Sequence, residues 1–229
     1  MGIKNEALTK IDKTNELISN SPIIKGLVDG GLSLIPFVGS AISSSLDARA
    51  FQLFEENSKR FAEEVRKLLD RIAEDKLDKS FLESSEFTSL LIETLARNAR
   101  THEEEKVKLF AKVFVGFVTV QGSQIHYKEG YIKIIDELSA EHIKMLAFIY
   151  DRTNNPTETD EKLRDRVQSE EISTVLNITI ERVSAYCDQM IRYGLLRDWA
   201  IGKYGYKSGS YAMTGYGLEF SKFLLSSIT

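Results

Sequence analysis

The stretch from Ile23 to Leu46, IIKGLVDGGLSLIPFVGSAISSSL, limits the folds open to this chain more than any other. The 17 residues from Gly30 to Leu46 carry no charge, and glycine and serine are interspersed there with large apolar side chains. As one straight helix they would reach about 25 Å, short of the roughly 30 Å hydrocarbon core of a bilayer. Pro36 removes a backbone hydrogen bond near the centre, so the expectation is a hairpin of two short helical arms around Ile35 and Pro36. The GxxxG spacing of Gly26 and Gly30, echoed by Gly39 and Ser43, lets helices approach closely in lipid or in a protein core. Two readings follow for Gly30, Gly31, Leu34, Ile35, Pro36, Phe37, Gly39 and Ile42. They form a hairpin buried in the chain or between copies, or they attach the chain to a membrane.

Over all 229 residues the composition is globular, 42% hydrophobic and 28% charged, enough for one large domain or two modest ones. A net charge of -4 gives no general attraction to nucleic acid or anionic lipid, since both need clustered Lys and Arg. The single cysteine, Cys187, excludes an intramolecular disulfide, and Met1 to Ile11 has neither a basic n-region nor an apolar h-region. Glu6 stands where N-myristoylation needs Ser or Thr. A cytoplasmic setting is expected, peripheral at the inner membrane face if the Gly-rich segment engages lipid.

From Ile3 to Ser19, Ile3, Ala7, Leu8, Ile11 and Ile18 fall at roughly helical spacing among charges and predict a short amphipathic helix, and Asn20 to Pro22 reads as a turn. Beyond the apolar stretch, residues 47–72 place Phe54, Phe61, Val65, Leu68 and Ile72 at steps of seven, four, three and four. That spacing predicts a long amphipathic helix with a coiled-coil-like stripe and a solvated face of mixed charge. A helix from Ser85 to Arg100 turns Phe87, Leu90, Leu91, Thr94 and Leu95 inward. Thr101 and Glu104 have the spacing of a capping box and predict the next helix. Through Val107, Phe110, Val113, Phe114, Phe117 and Val118 that helix is apolar over more than half its circumference, so it belongs at the centre of a bundle. Gln121 to Gln124 is expected as a break, and Tyr127 to Leu138 as a short helix with Tyr131, Ile132, Ile135 and Leu138 inward.

Ser139 is the expected N-cap of a helix from Ala140 to Arg152, with Ile143, Leu146, Ala147 and Tyr150 on one face. A polar loop from Thr153 to Asp160 follows. Ser169 to Leu176 and Ile180 to Tyr193 then form two helices around a turn at Asn177 to Thr179, closed by Gly194. Leu196 to Ile201 and Ser210 to Met213 alternate as a two-stranded ribbon around the Gly202 to Gly209 loop, and Thr214 caps a last helix, Leu218 to Ser226. This is the element order of a winged helix. The predicted architecture is mainly α: a helical bundle over residues 1–137 that includes the apolar Gly-rich hairpin, then a winged-helix domain over residues 138–229 with a small two-stranded β-ribbon.

A winged helix suggests DNA. With Ile180, Val183, Cys187 and Met190 inward, the third helix presents Arg182, Ser184, Gln189 and Arg192 as candidate nucleic-acid contacts, alongside Glu181, Ala185 and Asp188. Lys203, Tyr204, Tyr206 and Lys207 in the wing loop add a basic and aromatic cluster suited to a phosphate backbone or minor groove. Yet residues 138–229 hold 11 Lys and Arg against 12 Asp and Glu, a net of -1, where a DNA reader is expected to be basic. Protein contact is therefore the leading expectation and DNA the alternative. His102, His126 and His142 are isolated, and HEEEK lacks the second histidine of HExxH, so no metal is expected. Cys187, without a basic neighbour, reads as a core thiol. No GxxxxGK[ST], GxGxxG or GxSxG is present, so no cofactor, small-molecule substrate or enzymatic activity is expected.

The succession FAEEVRKLLDRIAEDKL, FTSLLIETLARNARTHEEEKVKLFAKVFVGFV and YKEGYIKIIDELSAEHIKMLAFIYD, from Phe61 onward, resembles the bacterial abortive-infection alpha family, a phage-defence-associated group. The closing YAMTGYGLEF, Tyr211 to Phe220, is similar to that group's LTxxGxxF pattern. His126 and Tyr127 occupy the place where the family often has a His-Pro pair. The resemblance implies a role in phage resistance and carries over no catalytic residues. The resulting expectation is a non-enzymatic interaction protein that self-associates or attaches to a membrane through residues 23–46. The alternative is a winged-helix transcriptional regulator.

Overall fold

The computed structural model describes residues 48–154, 166–199 and 209–226. The apolar segment 23–46, the helix expected near the N-terminus and most of the wing loop lie outside the described residues. The chain divides into two compact units, Met1–Glu129 and Gly130–Thr229. What is described is mainly helical, with a small antiparallel sheet near the C-terminus.

In the first unit, α1 (Ala48–Leu69), α3 (Ser85–Asn98) and α4 (Glu104–Phe117) form a bundle, with α4 packed along α1 and α3. The stripe on α1 runs through Phe54, Phe61, Val65 and Leu69, all buried. Leu69 replaces the expected Leu68 because the last steps keep four-residue spacing, and the helix ends there, so Ile72 lies in the following turn. On α4, Phe110, Val113, Phe114 and Phe117 are fully buried, and Phe114 meets Phe61 and Phe87 with ring centroids 5.6 Å away in each case. The central position expected of this helix is observed.

Two buried asparagines key α1 to the end of α3. Asn57 Nδ2 donates to the carbonyls of Asn98 (3.0 Å) and Thr101 (2.8 Å), and Asn98 Nδ2 donates back to the Asn57 carbonyl (3.0 Å). This pairing also explains why the expected capping box does not form. The Thr101 carbonyl is held by Asn57, the N-cap is Glu103 with no side-chain cap, and the Thr101 hydroxyl accepts only the Glu103 N–H, at 3.3 Å.

The expected break at Gln121 to Gln124 is instead a short helix, α5 (Val120–Ser123), N-capped by Thr119. A second short helix, α2 (Lys79–Leu82), is capped by Asp78, whose carboxylate also accepts the Ser123 hydroxyl at 2.6 Å. Lys128, at the start of α6 (Lys128–Glu137), is buried with its ammonium on Glu86 (2.8 Å), on the Ile125 carbonyl (2.8 Å) and over the Phe81 ring.

In the second unit, Tyr131 of α6 sits among Tyr216, Phe220 and Phe223 of α10 (Gly215–Ser226), and burial pushes its phenol pKa up. α7 (Ala140–Asn154) buries His142, Met145, Leu146 and Ile149, a face rotated from the expected Ile143, Ala147 and Tyr150, which are half-buried. The core takes Met145 because Cys187 faces it, Sγ to Sδ 3.6 Å. Next come β1 (Val167–Gln168), α8 (Ser169–Leu176), α9 (Ile180–Arg192), β2 (Leu196–Asp198) and β3 (Ser210–Met213), in sheet order β1-β3-β2. The expected two-stranded ribbon has a third strand, because Val167 and Gln168 pair with Tyr211 and Ser210. Two residues are too few to show alternation in sequence.

Candidate interaction surface

The surface to which the sequence assigns recognition is the outward side of α9. Local chemistry sets that helix firmly. Asn177 closes α8 in the left-handed region (φ 53°), and Ser173 brackets the turn by accepting the Ile178 N–H and donating its hydroxyl to the Ile178 carbonyl at 2.6 Å. The Thr179 hydroxyl caps α9, accepting the Arg182 N–H at 3.4 Å. At the far end Gly194 (φ 72°) lets the Leu195 N–H reach the Met190 carbonyl at 2.9 Å, a Schellman closure. Val183, Cys187 and Met190 point inward and are fully buried, and burial pushes the Cys187 thiol pKa up. Ile180, expected inward, is 44% exposed, because it precedes the stripe by most of a turn and sits at the helix start.

The four candidate contacts on α9 do not form a free polar row. Arg182 Nη2 donates to the Tyr186 hydroxyl at 2.8 Å, with its guanidinium over that ring. Ser184 is half-buried. Gln189 Nε2 donates to the Glu137 carbonyl at 3.1 Å. Arg192 is exposed, and so are Glu181 and Asp188 on the same helix. A hydrogen bond from its own backbone and one from Thr179 hold the Glu181 carboxyl below its usual range, so it is ionised at neutral pH. Lys203, Tyr204, Tyr206 and Lys207 lie outside the described residues, as do Gly30, Gly31, Leu34, Ile35, Pro36, Phe37, Gly39 and Ile42.

Sequence reasoning missed what lies beneath Arg182. Tyr186 stacks at 4.1 Å on the buried His142 ring, and His142 Nδ1 accepts the Ser139 N–H at 3.2 Å. The expected cap at Ser139 is thus completed by a histidine three residues on, while the Ser139 hydroxyl donates to Glu141 Oε2 at 3.1 Å. The i, i+4 spacing of Arg182 and Tyr186 was the signal available for the upper pair. The Arg166 guanidinium over Trp199, 4.2 Å from the ring centroid, left no comparable signal, since the sheet alone brings the two together. Among the described residues no group of three or more His, Cys, Asp or Glu is gathered to hold a metal ion, and no helix is long and apolar enough to cross a membrane. No family model matches the chain, and neither a curated protein nor a solved structure does.

Proposed function

We propose that this chain is a non-enzymatic interaction protein that self-associates and contacts protein rather than duplex DNA, in keeping with the phage-defence role its resemblance implies. The observation that carries the reading is the state of α9. Of its four candidate DNA contacts, Arg182 and Gln189 are hydrogen-bonded inside the domain and Ser184 is half-buried, and the outward face carries Glu181 and Asp188. A groove reader needs free donors aimed at base edges and basic groups on the phosphates. Carboxylates on that face repel the backbone instead.

The test is fluorescence anisotropy of labelled duplex DNA against the full chain over a salt series, beside sedimentation velocity of the chain alone. The expected result is weak or no duplex binding together with concentration-dependent self-association. Duplex affinity that falls steeply with salt and is lost in Lys203→Glu/Lys207→Glu would overturn the reading in favour of a DNA-binding regulator. Attachment of residues 23–46 to a membrane is a separate arm of the proposal. Liposome flotation that is weakened by bulky polar replacements of Gly31 and Gly39 supports it, and a chain that never floats sinks it.

A further inference from the structure

We infer that the outward face of α9 packs against the same face of a second copy, antiparallel about a two-fold axis, an inference that rests on the self-association proposed above. Glu181, Ala185, Asp188 and Arg192 follow one another at i, i+4, i+7 and i+11, which places them in one row on a helix. The row lies opposite the buried Val183, Cys187 and Met190. All four residues are exposed, with an acid at one end, a base at the other and a small side chain near the middle.

Charge order selects the partner. An antiparallel copy centred on the row sets Glu181 of each chain opposite Arg192 of the other, two ion pairs from one contact, as a self-complementary patch on a two-fold requires. A parallel copy would set acid on acid and base on base. Ala185 at the centre allows close approach, and Asp188 falls opposite Ala185 of the copy, where it keeps room for water. The same pairing accounts for an exposed apolar residue. Ile180 (44% exposed) and the half-exposed Ile191 share one edge of α9, and the antiparallel arrangement brings Ile180 beside Ile191 of the copy. A contact of one helix pair about 18 Å long buries less than the roughly 800 Å² per partner of a stable complex, so the expected dimer is weak and salt-sensitive.

The experiment is sedimentation velocity of the full chain over micromolar concentrations at low and high salt, with Glu181→Arg, Arg192→Glu, the double exchange Glu181→Arg/Arg192→Glu, and Ala185→Glu. Every replaced side chain is exposed, so circular dichroism melts should stay close to that of the parent chain. Each single reversal is expected to raise the dissociation constant about tenfold or more, since it turns two symmetry-related pairs repulsive. The double exchange restores dimerisation to near the parent value, and Ala185→Glu removes it by setting a second carboxylate against Asp188 of the copy. A dimer indifferent to the single reversals, or one that the double exchange fails to restore, overturns this pairing while leaving self-association standing. A chain monomeric at every concentration overturns both.

Discussion

Gly217 shows how much one missing methyl group can decide. A Cβ there would lie 1.9 Å from the Leu195 carbonyl oxygen, which already accepts the Thr214 N–H at 3.1 Å. Two residues earlier, a Cβ on Gly215 would meet nothing within 4 Å. Gly217→Ala is therefore expected to cost about 3 kcal/mol or more, because backbone has to move. Gly215→Ala should be neutral or stabilising by up to about 1 kcal/mol. Urea unfolding of the two variants, differing in nothing but position, checks the contrast. The same residues explain the legible part of the C-terminal pattern: Thr214 caps α10 through the Gly217 N–H at 2.8 Å, Gly217 makes the close approach and Phe220 is fully buried. Each of the three serves packing in this chain. The hydroxyl of Thr214 could be read in advance as a cap, whereas the carbonyl that excludes a side chain at position 217 comes from a segment 22 residues away and leaves no local trace.

Elements were legible in proportion to their length. Helices α1, α3, α4 and α9 repeat their apolar residues often enough for the period to show, while α2 and α5 are four residues each and β1 is two. Those short pieces are made by polar atoms. Asp78 caps α2 through the Phe81 N–H (3.0 Å), accepts Ser80 (2.7 Å) and clasps Ser123 (2.6 Å), while its own N–H donates to the Val118 carbonyl. These hydrogen bonds, the Ser123 bond foremost, lower the Asp78 carboxyl pKa from 3.8 to about 2. A carboxyl whose folded pKa lies below its unfolded value adds stability that is complete above about pH 4 and fades as pH falls toward about 2. Asp78→Ala should therefore lower stability by about 1 kcal/mol at neutral pH, a typical loss for an N-cap, with the gap to the parent narrowing below pH 4. Chemical denaturation at stepped pH reads both. A gap that stays constant down to pH 2 would show that the clasp does not depend on the charge.

At the scale of the whole molecule, the spacing of apolar residues made the mainly α class and a small sheet near the C-terminus visible. The outward face of α9 was legible as a face but not in its commitments. Nothing local to Gln189 points to the carbonyl of Glu137, 52 residues earlier. Each unit carries its own aromatic centre, Phe61, Phe87 and Phe114 in one and Tyr131 and Phe220 in the other. Calorimetry is thus expected to resolve two transitions. Phe114→Ala should lower one of them and Phe220→Ala the other, each by about 3 to 5 kcal/mol of unit stability, while a single transition shifted alike by both would refute the separation. The reciprocal amides of Asn57 and Asn98 bear on a different property. Apolar ridges tolerate a helix sliding by a turn, but these two side chains meet their carbonyls in one register only, and a slipped α1 would strand buried amides at about 1–3 kcal/mol apiece. The pair thus acts as a detent. A pull along α1 itself would meet a stop at these two side chains instead of being absorbed as slippage.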